Sequence, residues 1–253
     1  MIDLKSKILL SEDPIKENLK EILQLAKAAS DAGFNKLVAT PSFTYHKDYT
    51  STYESDIKKC KIINNLLLDN KIDITVYLGN EIDYSPEIIE LLKTSKIATI
   101  NNTQYILLKF NENKCDFFSI KDSLFNLQIS GYIPIISQIE RYDIVIEDPT
   151  IVKSLIRRGN LMQLDALSIL GFNGENSKRT AIDLLKNDMI HIIGTNACNP
   201  EHYKETTNAL NYIRKKIGQE KFKKITITNS EQILNNEIIN RFKPKETKKV
   251  LFR

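Results

Sequence analysis

Cysteine is scarce. Cys60, Cys115 and Cys198 are too few and too widely spaced for a disulfide scaffold, and no C-x-x-C pair offers a zinc ribbon. Such sparse use fits a reducing compartment. Histidine is scarcer in context: His46 reads as a loop residue, His191 as the start of a strand, and His202 as part of the first turn of a helix. No apolar run approaches the roughly 20 residues of a membrane-spanning helix. No leader-type segment precedes the first strand-like pattern, so the expectation is a soluble, cytoplasmic protein without a transmembrane segment. G-x-G-x-x-G and G-x-x-x-x-G-K-[ST] are both absent, so a nucleotide-binding open sheet lacks its fingerprint. Internal repeats, low-complexity tracts and hairpin signals are also missing.

What is present is a chain of 253 residues, 42% hydrophobic and 27% charged, which is enough to bury a sizeable core. The net charge of +4 is mild. Part of the surplus lies in residues 241–253 (RFKPKETKKVLFR), read as a solvated basic tail rather than a patch for an acidic partner or membrane surface. The basic residues are too few for a nucleic-acid footprint. Residues 1–240 are expected to form one domain.

MIDLKSKILL, Met1 to Leu10, alternates Ile2, Leu4, Ser6 and Ile8 with Asp3, Lys5 and Lys7, the pattern of a strand. Alternation puts the acid and both lysines on one face, so the lysines need water or a carboxylate. SEDP, with Asp13 as cap and Pro14 at the first helical position, opens a helix that Gly33 stops. Further strands are expected over 36–40, 73–78, 105–110, 133–137, 161–165 and 191–195. Helices are expected over 52–70, from Ser85-Pro86-Glu87 onward, and over 116–130, 148–159, 177–187, 199–217 and 230–239. Strict strand–helix order implies a parallel sheet. About seven such units favour closure into a β/α barrel over a doubly wound sheet. The carboxyl ends of those strands carry Lys7, Ser42, Glu81, Gln138 with Arg141, Asp165, and Asn196 with Cys198, the positions at which parallel barrels build their sites.

The order MIDLKSKIL, ATPS, GNEI, SQIERY, QLDALSILG, GTNACN and TNSEQILNNE resembles the manganese-dependent protein tyrosine phosphatases of bacterial capsule and exopolysaccharide gene clusters, within the polymerase-and-histidinol-phosphatase superfamily. The resemblance covers nearly the whole chain. It implies a distorted, TIM-barrel-related β/α barrel, a site of up to three manganese ions, and a phosphorylated tyrosine kinase tail or other phosphorylated protein as partner.

The departures are specific. The two histidine positions of the family's first strand are Lys5 and Lys7. Histidine near Ser42 and Phe43 is missing, Gln138 stands for another, and Asn196 and Cys198 stand for an Asp-x-His pair. Glu81 alone remains of the ligand-type residues. Arg141 remains where the family counterpart contacts phosphate, and Asp165 falls where the family shows an amide or hydroxyl. A protonated lysine has no lone pair, and Gln and Asn offer only weak neutral oxygens. The expectation is a relative without metal or catalytic residues, little or no phosphatase activity, and a cationic mouth of Lys5, Lys7 and Arg141 for phosphate. An active hydrolase with a rearranged metal site is the alternative, and an inert scaffold is a third reading. Glu81 is expected to pair with Lys5 or Lys7. Arg141, in the inert case, would be tied to Glu140 or Asp143. Cys198 and His202 stand at helical spacing as a weaker nucleophilic pair, and Asp3 is expected far from the mouth. Homo-oligomerisation is left open.

Overall fold

The computed structural model describes residues 1–9, 19–45, 52–113 and 116–239. The Asp13–Pro14 helix start, His46, Cys115 and the 241–253 tail lie outside them.

The first stretch forms β1 (Ile2–Ser6), shorter than the expected ten residues and buried on both faces. At its end the Ser6 carbonyl accepts from Thr40 N–H on one side, while Lys7 donates its N–H to the Ala197 carbonyl on the other side (both 3.0 Å). Then come α1 (Leu19–Asp31), β2 (Lys36–Ala39), β3 (Ser42–Phe43), α2 (Tyr53–Asp69), β4 (Thr75–Leu78), β5 (Glu81–Asp83) and α3 (Ile88–Lys93). β6 (Tyr105–Lys109), α4 (Phe117–Ile129), β7 (Ile133–Ile136), α5 (Asp143–Glu147), α6 (Ile151–Arg157) and β8 (Leu161–Asp165) follow. The chain continues through α7 (Glu175–Lys186), β9 (Ile192–Gly194), α8 (Pro200–Ile217) and α9 (Gln219–Lys223), a π-helical turn over Lys224–Thr228, and α10 (Asn229–Leu234).

Every strand pairing is parallel. One sheet runs β1-β2-β4 and another β3-β5-β6-β7-β8-β9. β2 and β3 are successive halves of one wall position, interrupted at Thr40-Pro41, because proline cannot donate to a ladder. β4 and β5 are likewise halves, interrupted at Gly79-Asn80. A parallel bridge, Ser6 to Ala197, brings the far end of the wall back to β1. Seven wall positions therefore curl into the expected distorted parallel barrel.

Helix starts follow local chemistry. Thr52 caps α2 through Ser55 N–H, and Asp116 caps α4 through the N–H groups of Phe118 and Ser119. Asn199 caps α8, with Pro200 in its first turn. The larger apolar core lies between wall and helices and includes Leu25, Leu37, Ile63, Ile82, Leu124 and Leu184. A second cluster, Ile2, Leu4, Val38, Tyr105, Leu107, Ile135, Leu161 and Ile192, is joined by Ile233, Leu234 and Ile239. Apolar packing thus fills one part of the molecule, and polar residues gather where the strands end. Among the described residues, no helix is long and apolar enough to cross a membrane.

Candidate functional site

The polar centre begins with β1. Lys5 is 1% exposed, and its Nζ lies 2.5 Å from Glu81 Oε1 and 3.0 Å from Ser137 Oγ. Lys7 extends from the end of the same strand. Its Nζ donates to Glu81 Oε2 (3.2 Å), the Thr40 carbonyl (2.9 Å) and Ser42 Oγ (3.0 Å). Ser137 donates to Glu81 Oε1 (2.8 Å). The pairing expected from charge is therefore present with both lysines. Burial alone would raise the Glu81 carboxyl, but Lys5 and then Lys7 outweigh it and hold it at about 2.

Gln163 closes this centre from β8, with its Oε1 3.2 Å from Ser137 Oγ. Its Nε2 is buried without a hydrogen-bond partner. A Cβ on Gly194 would come within 2.6 Å of that Nε2 and 2.9 Å of Lys5 Cβ, so only glycine leaves room for the lysine stem and the amide together. Sequence reasoning did not single out Ser137 or Gln163. The signal was there in Gln163, a polar residue in the middle of LMQLD.

A second acidic centre adjoins it. Glu140 and Asp165 are both buried. Glu140 Oε1 accepts from Ser168 Oγ (2.6 Å) and Asp165 N–H (3.2 Å), while its Oε2 has no hydrogen-bond partner. Asp165 accepts from Gln138 Nε2 (2.8 Å), Asn173 Nδ2 (3.1 Å) and Leu167 N–H (2.9 Å). Burial, and next the Asp165 charge, push the Glu140 carboxyl up to about 8. Burial raises Asp165 as well.

The other expected positions scatter. Phe43 packs in the apolar core and Cys198 is exposed. Asn196 sits in a left-handed turn and donates its N–H to the Lys5 carbonyl (2.8 Å). Arg141 binds neither Glu140 nor Asp143. Its guanidinium contacts Glu112 Oε2 (3.0 Å) and Gln138 Oε1 (3.3 Å). Glu140 is turned inward and Asp143 begins α5, so the loop after β6 supplies the carboxylate instead. Cys198 Sγ does lie 3.6 Å from His202 Nδ1, with no carboxylate joined to that histidine among its hydrogen bonds. Asp3 is buried away from Glu81 and accepts from Thr195 Oγ1 (2.5 Å), Tyr203 OH (2.9 Å) and the N–H of Thr195 (3.0 Å).

With this geometry in view, the chain can be set beside known proteins. Residues 1–235 match the family model described as capsular polysaccharide synthesis, CpsB/CapC. The chain belongs to the CpsB/CapC family. CapC of Staphylococcus aureus is 31% identical over 201 residues, covering 78% of this chain and 76% of CapC. Tyrosine-protein phosphatase YwqE of Bacillus subtilis is 27% identical over 252 residues, 98% of this chain and 97% of YwqE. A crystal structure from work on YwqE and on CpsB of Streptococcus pneumoniae, described as unique metal-dependent tyrosine phosphatases, superposes with a TM-score of 0.87 at 26% identity, covering 98% and 100% of the two chains. These relatives support the tyrosine-phosphatase class, and nothing in them points to inactivity; they speak for the active alternative more than for a silent relative.

The metal implied by the family resemblance is a separate matter. Both Glu81 oxygens are taken by ammonium groups. Among the described residues, no group of three His, Cys, Asp or Glu side chains is arranged to hold an ion. This donor set does not fit a metal cluster.

Proposed function

We propose that this chain is a phosphotyrosine-directed member of the CpsB/CapC family that engages a phosphorylated tyrosine kinase tail or another phosphorylated protein, and that it has given up the metal cluster with most or all hydrolysis. The two-lysine grip on Glu81 carries this reading. In it, positive side chains neutralise the remaining carboxylate from within the fold. Lys5, too buried to meet a ligand, sets the charge of the centre. Lys7, partly exposed, and Arg141 present cations on the face where the strands end, and Arg141 suits a phosphate dianion through its planar fork.

The relatives' names favour a second reading, an active metal-dependent protein-tyrosine phosphatase with a rearranged site. One preparation separates the two. Elemental analysis is paired with turnover of a generic aryl phosphate and titration with phosphotyrosine. The metal-free reading expects substoichiometric metal, turnover at background, and binding that weakens in Arg141→Ala. Stoichiometric manganese or iron together with turnover establishes the second reading. Absence of both turnover and binding leaves the barrel as a scaffold and overturns the first.

A further inference from the structure

On the face where β5, β6 and β7 end, two cavities of about 410 and 510 Å³ lie side by side and share Glu112 in their walls. Together they form a groove that leads past Arg141 to the start of α7. Its charges are ordered. At the centre Glu112 is shared, with Oε1 3.6 Å from Lys109 Nζ and Oε2 3.0 Å from Arg141. Asp83 lines one end, and Asp143 and Glu175 line the other. Among the residues lining the groove, four carboxylates thus face two cations, and Glu175 also has Lys178 Nζ 3.7 Å away from outside the lining. Beside Asp83, Tyr84 and Phe110 stack with ring centroids 5.3 Å apart, giving that end an aromatic wall.

We infer that this groove takes an extended polypeptide segment carrying Lys or Arg on both sides of a tyrosine, which names the substrate class for the reading above and rests on it. A central anion displaces Glu112 from Arg141, and Glu112 keeps Lys109 as its partner. The outer carboxylates meet the flanking basic side chains, and the aromatic wall covers their stems. Glu112 then acts as a built-in competitor. A segment with acidic flanks faces like charge at both ends and cannot repay the lost Arg141 contact.

The test is a four-peptide titration against the full chain: Lys/Arg-flanked and Asp/Glu-flanked peptides, each with tyrosine and with phosphotyrosine. The basic-flanked phosphopeptide should bind about tenfold more tightly than the acidic-flanked one. Raising the salt, or combining Asp143→Asn with Glu175→Gln, should shrink that ratio several-fold, and Glu112→Gln should tighten both phosphopeptides. Equal affinity of the two phosphopeptides overturns the groove and leaves the phosphotyrosine reading standing. Preference for basic flanks regardless of phosphate supports the groove and removes phosphotyrosine. No binding by any peptide overturns both.

Discussion

Glu81 and Glu140 are both buried glutamates near the ends of barrel strands, yet their environments drive them in opposite directions. Glu81 meets two ammonium groups and a serine hydroxyl, and stays ionised down to about 2. Glu140 meets a serine hydroxyl, a backbone N–H and the neighbouring Asp165, with no cation in its hydrogen-bond shell, and holds its proton up to about 8. Burial acts on both in the same sense, so it does not separate them. The decisive difference is the sign of the nearest charge. One protein thus keeps a permanently anionic carboxylate and a neutral carboxylic acid in adjoining networks at neutral pH.

The sharpest way to break this contrast is to remove the cation. Lys5→Met should cost up to about 3–5 kcal/mol, since it leaves the buried Glu81 with Lys7 as its one ammonium partner. The double change Lys5→Met with Glu81→Met should cost less than the sum of the singles. Additive losses in urea denaturation would mean that the ion pair does not govern Glu81. The next effect is on pH. A carboxyl raised in the folded state stabilises fully below its unfolded value near 4.5 and loses that contribution as pH rises toward about 8. Wild-type stability should therefore fall between pH 6 and 8, and Glu140→Gln should flatten the fall. Asp3, held at about 6 mainly by burial, works in the lower part of the same range, so the upper half isolates Glu140. An unchanged slope in the variant would return the effect to Asp165. The smallest change is Gly194→Ala, whose new methyl presses on Lys5 Cβ and Gln163. It should cost about 1–3 kcal/mol and leave the Glu140 window unmoved.

Much of the barrel is legible in the sequence because each strand–helix unit carries its own apolar periodicity and stop signals. The Asp116 cap and the Asn199-Pro200 start are read directly from residue chemistry. The broken strands are not, since β3 and β5 are only two and three residues long and exist through their neighbours. α5 also goes unseen, because five residues leave no period to detect. At the site, a contact of Glu81 with Lys5 or Lys7 follows from charge balance once both are placed at the strand ends, and both contacts are present. The Glu140–Asp165 pairing and the Glu112–Arg141 contact do not follow in this way, because each joins residues at the ends of different strand–helix units that meet only once the wall has curved. The two networks sit side by side through backbone geometry: Gln138, in a left-handed conformation, reaches Asp165 with its amide while its neighbour Ser137 faces Glu81.

β1 lies between β2 and the end of β9, and Asp3 obtains its Thr195 partner across 192 residues of chain. At ordinary ribosomal speed that interval is on the order of ten seconds or more. Until then a strand bearing one acid and one lysine destined for the interior must wait half-paired. Long-range closures of this kind also slow spontaneous refolding. Inward-pointing charges of this kind disfavour edge-to-edge pairing of a strand with other chains.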